Sequence, residues 1–311
     1  MFSLYGAIWR ITGRRQIALI LLSLAIAALA AAPLRFQQEI VNLLTYGTFE
    51  RHQLFLLCGG MLGVIVLSLG LKWLRGYRSQ VLGEDVIRII RRRLFTGAAD
   101  RQDTPDRQGA IQPGTLSTAL SAEAEELGKF AGGAFSEPVM QIGTLVSVIG
   151  FVAAAQPGLG LVALAMIAPQ VIIVLYTQRR VNVLLAERVQ YLRRATGQIT
   201  DTDLRAVSDA VLQDFDRIYG VRCRMFLWKL STKFLLSAIN AVGTVIVFLL
   251  GGLLVLDGKT DVGTVVAATL GLNRLQAPTA FLISFYRSVS ANRVKFELLR
   301  GLVLNGPPSG G

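Results

Sequence analysis

The stretch Gly251–Thr260, GGLLVLDGKT, comes closest in this chain to a chemical motif. A phosphate-binding loop needs Gly, four residues, then Gly-Lys-Ser/Thr, so that successive backbone N–H groups cradle the phosphates. Gly258, Lys259 and Thr260 fit the end of that pattern, but Leu253 stands where its first glycine belongs, and Gly252 is one place too far back. The setting differs too. A true loop joins a strand to a helix, whereas this one closes the uncharged run Phe234–Leu256, about as long as a helix that crosses a bilayer. The chain is therefore expected to bind no ATP of its own.

Other reactive side chains are few. His52 is the only histidine, and Cys58 and Cys223 are the only cysteines. Metal sites need clustered ligands, disulfide frameworks need more cysteines, and a nucleophilic triad needs a histidine with partners. The reading assigns no catalytic residue, no metal ligand and no cofactor to the chain itself.

The elements around these residues point to a membrane. Of 311 residues, 52% are hydrophobic and 17% charged, yet the net charge is +12. A soluble domain carries about 25% charged residues. An apolar chain with a basic excess fits a multispanning protein whose charges gather in a few loops. Nucleic-acid binding would need those charges on a soluble fold, and too little of the chain is soluble.

Six hydrophobic segments can be marked: Ile17–Leu34, Leu54–Leu71, Pro138–Ala155, Leu159–Thr177, Phe234–Leu256 and Val262–Tyr286. The first may continue through Arg35 toward Leu44, and its length argues against a cleaved signal peptide. Gln156-Pro157-Gly158 reads as a tight turn. Lys and Arg divide sharply between the connecting segments, 28 on one side and two on the other. The positive-inside rule then puts both termini in the cytoplasm, and a bacterial inner membrane is the expected location. The two long connections, of about 60 residues each, keep helical spacing. Val86, Ile89, Ile90, Arg93 and Leu94 show it after the second segment, and Val183, Leu184, Ala186, Val189, Tyr191 and Leu192 after the fourth. Near the N-terminus, Phe2, Tyr5, Ile8 and Trp9 share one helical face, as in an interfacial helix over residues 1–13 with aromatic anchors.

Arg274 stands in the middle of the sixth segment. A guanidinium at the bilayer centre costs about 3 kcal/mol even on lenient insertion scales, so it should face the bundle interior or a wet cavity. Asn273 and Gln276 add polarity beside it, and Pro278 frees the carbonyl of Arg274. Arg274, Asn273 and Gln276 are the substrate-cavity candidates. An arginine bonded between helices for packing alone is the other reading. Lipids, peptides and amphiphilic drugs suit such a bundle equally well.

Three stretches resemble the transmembrane domain of ABC exporters. Leu82–Ala99, LGEDVIRIIRRRLFTGAA, resembles the basic helix descending from that family's second span. Gly114–Leu127, GTLSTALSAEAEEL, is similar to its first coupling helix, with Ala119 where the family usually has Arg and Glu123 at the place of its Asp. The region from Gly251 through ANRVKFELL resembles its fifth-to-sixth turn, its proline-containing sixth span and its exit toward the ATPase. Asp203–Gly220 matches the second coupling helix only loosely.

The resemblance implies an all-α membrane protein. It would have six transmembrane helices over 14–300, two long cytoplasmic helical extensions, the interfacial helix over 1–13 and a flexible tail over 301–311. It also implies coupling contacts to an ATPase at Gly114, Leu116, Leu120, Glu123 and Asp209, pairing of two membrane domains as a homo- or heterodimer, and membrane lipid around them. ATP and Mg would belong to the partner nucleotide-binding subunit, because no phosphate loop or LSGGQ-type signature follows Leu304; a fused exporter ending before its ATPase has the same sequence. An ion-gradient-driven carrier on a related fold and a non-transporting membrane scaffold are the rival classes.

Overall fold

The computed structural model describes residues 2–46, 51–102, 119–201 and 209–304. The described chain is helical throughout: α1 Phe2–Ala28, α2 Ala32–Tyr46, α3 Arg51–Gln102, a π-helical turn Ala119–Glu123, α4 Ala124–Gly133, α5 Ser136–Ala155, α6 Pro157–Asp201, α7 Asp209–Leu256 and α8 Val262–Leu304. Five stretches are long and apolar enough to cross a bilayer: Leu4–Tyr46, Arg51–Thr96, Leu120–Ala155, Pro157–Leu192 and Leu212–Leu256. The sixth expected segment lies within α8, but Asn273, Arg274 and Gln276 interrupt its apolar run, and it does not join that set by composition.

The helix boundaries follow local chemistry. Pro33 has no N–H to give Leu29, so the chain turns at Leu29–Ala31 between α1 and α2. The first hydrophobic segment is thus a helix, a short break and a second helix. The tight turn expected at Gln156 is a single extended residue (φ −152°, ψ 106°), with Pro157 at the first position of α6, where its missing N–H is harmless. Residues 2–13 form no element of their own, because α1 runs unbroken from Phe2 to Ala28.

Length is the main architectural fact. α3 has 52 residues, α6 45, α7 48 and α8 43. At 1.5 Å per residue, α3 extends about 78 Å, against roughly 30 Å of hydrocarbon in a bilayer. The apolar window of α3 buries none of its residues, and Phe55, Leu56, Leu62 and Val66 point outward. Water does not favour such a surface over this length, but lipid does.

Two main apolar clusters hold the helices. One joins Leu34, Val148, Val152, Leu159, Met166, Val247, Leu272 and Leu275 of α2, α5, α6, α7 and α8. The other joins Leu4 and Ile8 of α1, Val86 and Leu94 of α3, Leu127 and Ala131 of α4, and Leu299 of α8. Tyr5 and Trp9 serve this second cluster: both meet Phe135 edge to face, with ring centroids 5.1 and 5.4 Å apart. They therefore act as internal packing. Between α3 and α4 the backbones nearly touch. A Cβ on Gly128 would come within 2.9 Å of the Gly83 carbonyl oxygen. Only glycine allows so close an approach, the way small residues bring membrane helices together.

Candidate functional site

The GGLLVLDGKT stretch is a helix end. The Lys259 N–H donates to the Leu254 carbonyl (2.8 Å) and the Gly258 N–H to that of Val255 (3.0 Å). Gly258 has φ +69°. This is a Schellman cap, in which glycine takes the left-handed position. No strand precedes it, so the backbone does not form the nest that a phosphate loop needs.

Asp261 then caps α8, accepting the Thr264 N–H at 2.6 Å. Asn42 of α2 accepts the Gly263 N–H, and Gln38 donates to the Thr264 hydroxyl. Burial pushes the Asp261 carboxyl up, but hydrogen bonds from Asn42, Thr264 and Gln38 outweigh it and hold the group below the usual carboxylate range.

Twelve residues further along α8 lies the polar middle of the bundle. Arg274 is half-buried, and its Nη1 donates to the Ala30 carbonyl at 3.2 Å. That carbonyl is available because Pro33 disturbs the ladder: the Leu34 N–H, its ordinary helical partner, bonds to Ala31 instead. So Arg274 stabilises the α1–α2 break. A guanidinium carries five N–H donors, and among the described residues this is the one bond Arg274 makes. Asn273 lies on the exposed side and accepts from Asn240 Nδ2 of α7 at 2.5 Å. Gln276 is half-buried with no polar partner among the described residues. Arg274 and Asn273 thus belong to one α1–α2/α7/α8 polar junction, and Gln276 stands one turn along without joining it.

Two features escaped the sequence reading. Asn240 is the only carboxamide in the run Phe234–Leu256, and that isolation was the signal for it. Arg75 counted as one loop charge among ten, yet it is buried and pairs with Glu137 of α5 at 2.8 Å. Its Nε and Nη1 are buried with no partner. No spacing rule links residues 75 and 137, because the pair exists only through the packing of α3 on α4, which sets the start of α5 beside α3.

The coupling candidates divide. Gly114 and Leu116 lie outside the described residues, as does most of the stretch Ile111–Leu120. Leu120 is half-buried against the second apolar cluster, and its carbonyl accepts from Arg91 Nε at 2.8 Å. Glu123 ends the π-helical turn at the N-cap position of α4 but makes no side-chain cap. Asp209 begins α7. The neighbouring Glu126 pairs with Lys295, tying α4 to the far part of α8.

The sequence profile of one family, the ABC transporter transmembrane region, matches residues 16–203. No curated protein matches the chain.

Proposed function

The chain belongs to the ABC transporter transmembrane family, and we propose that it is the membrane half of an exporter working by alternating access. It is a membrane component of an ABC-type transporter, with ATP hydrolysis supplied by nucleotide-binding domains outside these 311 residues. Two such membrane domains enclose the pathway. Val262–Tyr286 completes six spans, and both termini lie in the cytoplasm. The excess lengths of α3, α6 and α7 then form the two cytoplasmic extensions, and an ATPase grips their tips near Ile111–Leu120 and Asp209.

The observation that carries this reading is helix length within that family: four helices of 43 to 52 residues. Such helices act as levers. Closure of the ATPase pair favours one packing of the bundle over another by differential contact energy, which is all a ligand-driven switch requires.

Arg274 is the substrate-facing group of this reading. One of its donors holds the α1–α2 break, and the others are free to meet an anionic part of an amphiphilic substrate. Substrate-stimulated ATPase activity of the assembled transporter tests this. Arg274→Gln is expected to lose stimulation while protein level and basal activity persist, and Arg274→Lys to keep part of it, since charge remains but the planar fork does not. Full stimulation in both variants would remove Arg274 from the pathway. Loss of assembly in both would reduce it to a packing residue.

A further inference from the structure

Beside the junction of α1 and α3 lies a cavity of about 820 Å³ that the transport reading leaves unused. It falls within the size range of small-ligand sites. Its walls carry five guanidinium groups, Arg10, Arg14 and Arg15 of α1 and Arg88 and Arg92 of α3, against one carboxylate, Asp85. Asp85 is already paired with Arg15. The other four guanidiniums have no ion-pair or hydrogen-bond partner among the described residues. Arg10 and Arg14, four residues apart on one helix, thus face Arg88 and Arg92, four apart on the other. Like charges so placed repel. The arrangement becomes favourable when an anion fills it.

We propose that this cavity binds the phosphate headgroup of an anionic phospholipid. Two observations select a lipid over a free anion. First, a second hollow of about 330 Å³ adjoins the cavity and shares Arg15, Leu82 and Asp85 with it. Apart from Arg78 its remaining walls are Ala18, Leu19, Tyr77 and Val81, a lining suited to an acyl chain. Second, Arg10, Arg14 and Arg15 stand where the apolar run from Ile17 begins, α3 brings Arg88 and Arg92 beside them, and Trp9 is in the cavity wall. Basic residues and aromatic rings gather at this depth because headgroups lie there. A charged pocket continuing into an apolar groove matches a molecule with a phosphate at one end and hydrocarbon at the other.

The test uses Trp9 as the reporter. With Trp73→Phe and Trp228→Phe, Trp9 is the only tryptophan left. The protein is reconstituted in phosphatidylcholine vesicles containing brominated phosphatidylglycerol, or brominated phosphatidylcholine in its place. Trp9 quenching should occur at a lower mole fraction of the anionic lipid. Each arginine near an anionic surface contributes about a fivefold preference, so Arg14→Gln/Arg88→Gln/Arg92→Gln should reduce that preference by at least about tenfold. Lysine at the same three positions should restore most of it. Unchanged quenching by brominated phosphatidylcholine shows that the triple variant is still inserted and folded, and the single substitutions carry the test if it is not. Equal quenching by both lipids in the arginine-bearing protein overturns the proposal. So does a preference that survives the triple substitution. Loss of the preference on adding millimolar inorganic phosphate assigns the pocket to free anions and also defeats it.

Discussion

Where α4 lies on α3, Gly83 and Gly128 bring two backbones together, Val86, Leu94 and Leu127 pack beside them, and Leu4 and Ile8 of α1 and Leu299 of α8 close over them from two further helices. Where the distal part of α6 lies on α7, the buried apolar set is Val181, Val221 and Met225. Its polar ties include Arg224 with Glu187, Arg217 over the Tyr191 ring, and Thr232 with Thr177. The outside of this pair shows Phe215, Tyr219, Phe226, Leu227 and Leu230. Both regions are built on long helices that continue past an apolar segment, α3 in one and α6 and α7 in the other. One is fastened by residues from the two ends and the middle of the chain, the other, among the described residues, by its two helices alone. Local opening free energy follows the number of buried apolar partners, so the α6–α7 arm is the compliant lever and the α3–α4 end the rigid one.

The largest expected effect breaks the rigid side. Glu137→Ala leaves the Arg75 guanidinium buried and unpaired, which should lower stability by about 3–5 kcal/mol. Replacing both with leucine should recover most of that loss, because a well-packed apolar pair often equals a buried ion pair. Thermal unfolding in detergent reads both, and an unaffected Glu137→Ala would show that the pair bears no weight.

A sharper test deletes one buried side chain on each side. Leu127→Ala should fall toward the upper part of the range of about 2–5 kcal/mol for such truncations, and Met225→Ala near its lower end, about 2 kcal/mol, since the arm can close around the gap. Equal losses would erase the contrast, and amide exchange should rank the two regions the same way.

The smallest effect concerns the α8 cap, away from both regions. Asp261→Ala should lower stability by about 1 kcal/mol. The folded carboxyl is held below its ordinary range, with burial opposing and the bonds to Asn42, Thr264 and Gln38 prevailing. Its contribution is therefore complete above the unfolded carboxylate value and is lost as pH falls through the depressed folded one. Melting curves of the native chain and of Asp261→Asn, which keeps the cap without the charge, should converge toward acid.

Much of this was legible before any coordinates. Apolar runs gave the helices, and the Pro157 turn the boundary between α5 and α6, because membrane backbone must satisfy itself within helices. Arg274 stood out because charge is rare in such runs. The break at Leu29–Ala31, the receiver of the Arg274 hydrogen bond, was less legible: Pro33 signals it, but alanines on both sides are good helix formers. Long-range partners were not legible at all. Arg75 meets Glu137, and Arg14 faces Arg88, only through the packing of helices whose relative rotation no spacing encodes.

Alternating access is tested most directly at Asn273, which lies on the exposed side of α8 next to Arg274. In a chain carrying Cys58→Ser and Cys223→Ser, Asn273→Cys is exposed to an impermeant thiol reagent from each side of the membrane, with the nucleotide-binding partner present. ATP-driven exchange of packings predicts that the cysteine reacts from the cytoplasmic side at rest and from the opposite side when the ATPase is trapped with ATP and vanadate. Labelling that stays on one side in both states would contradict it.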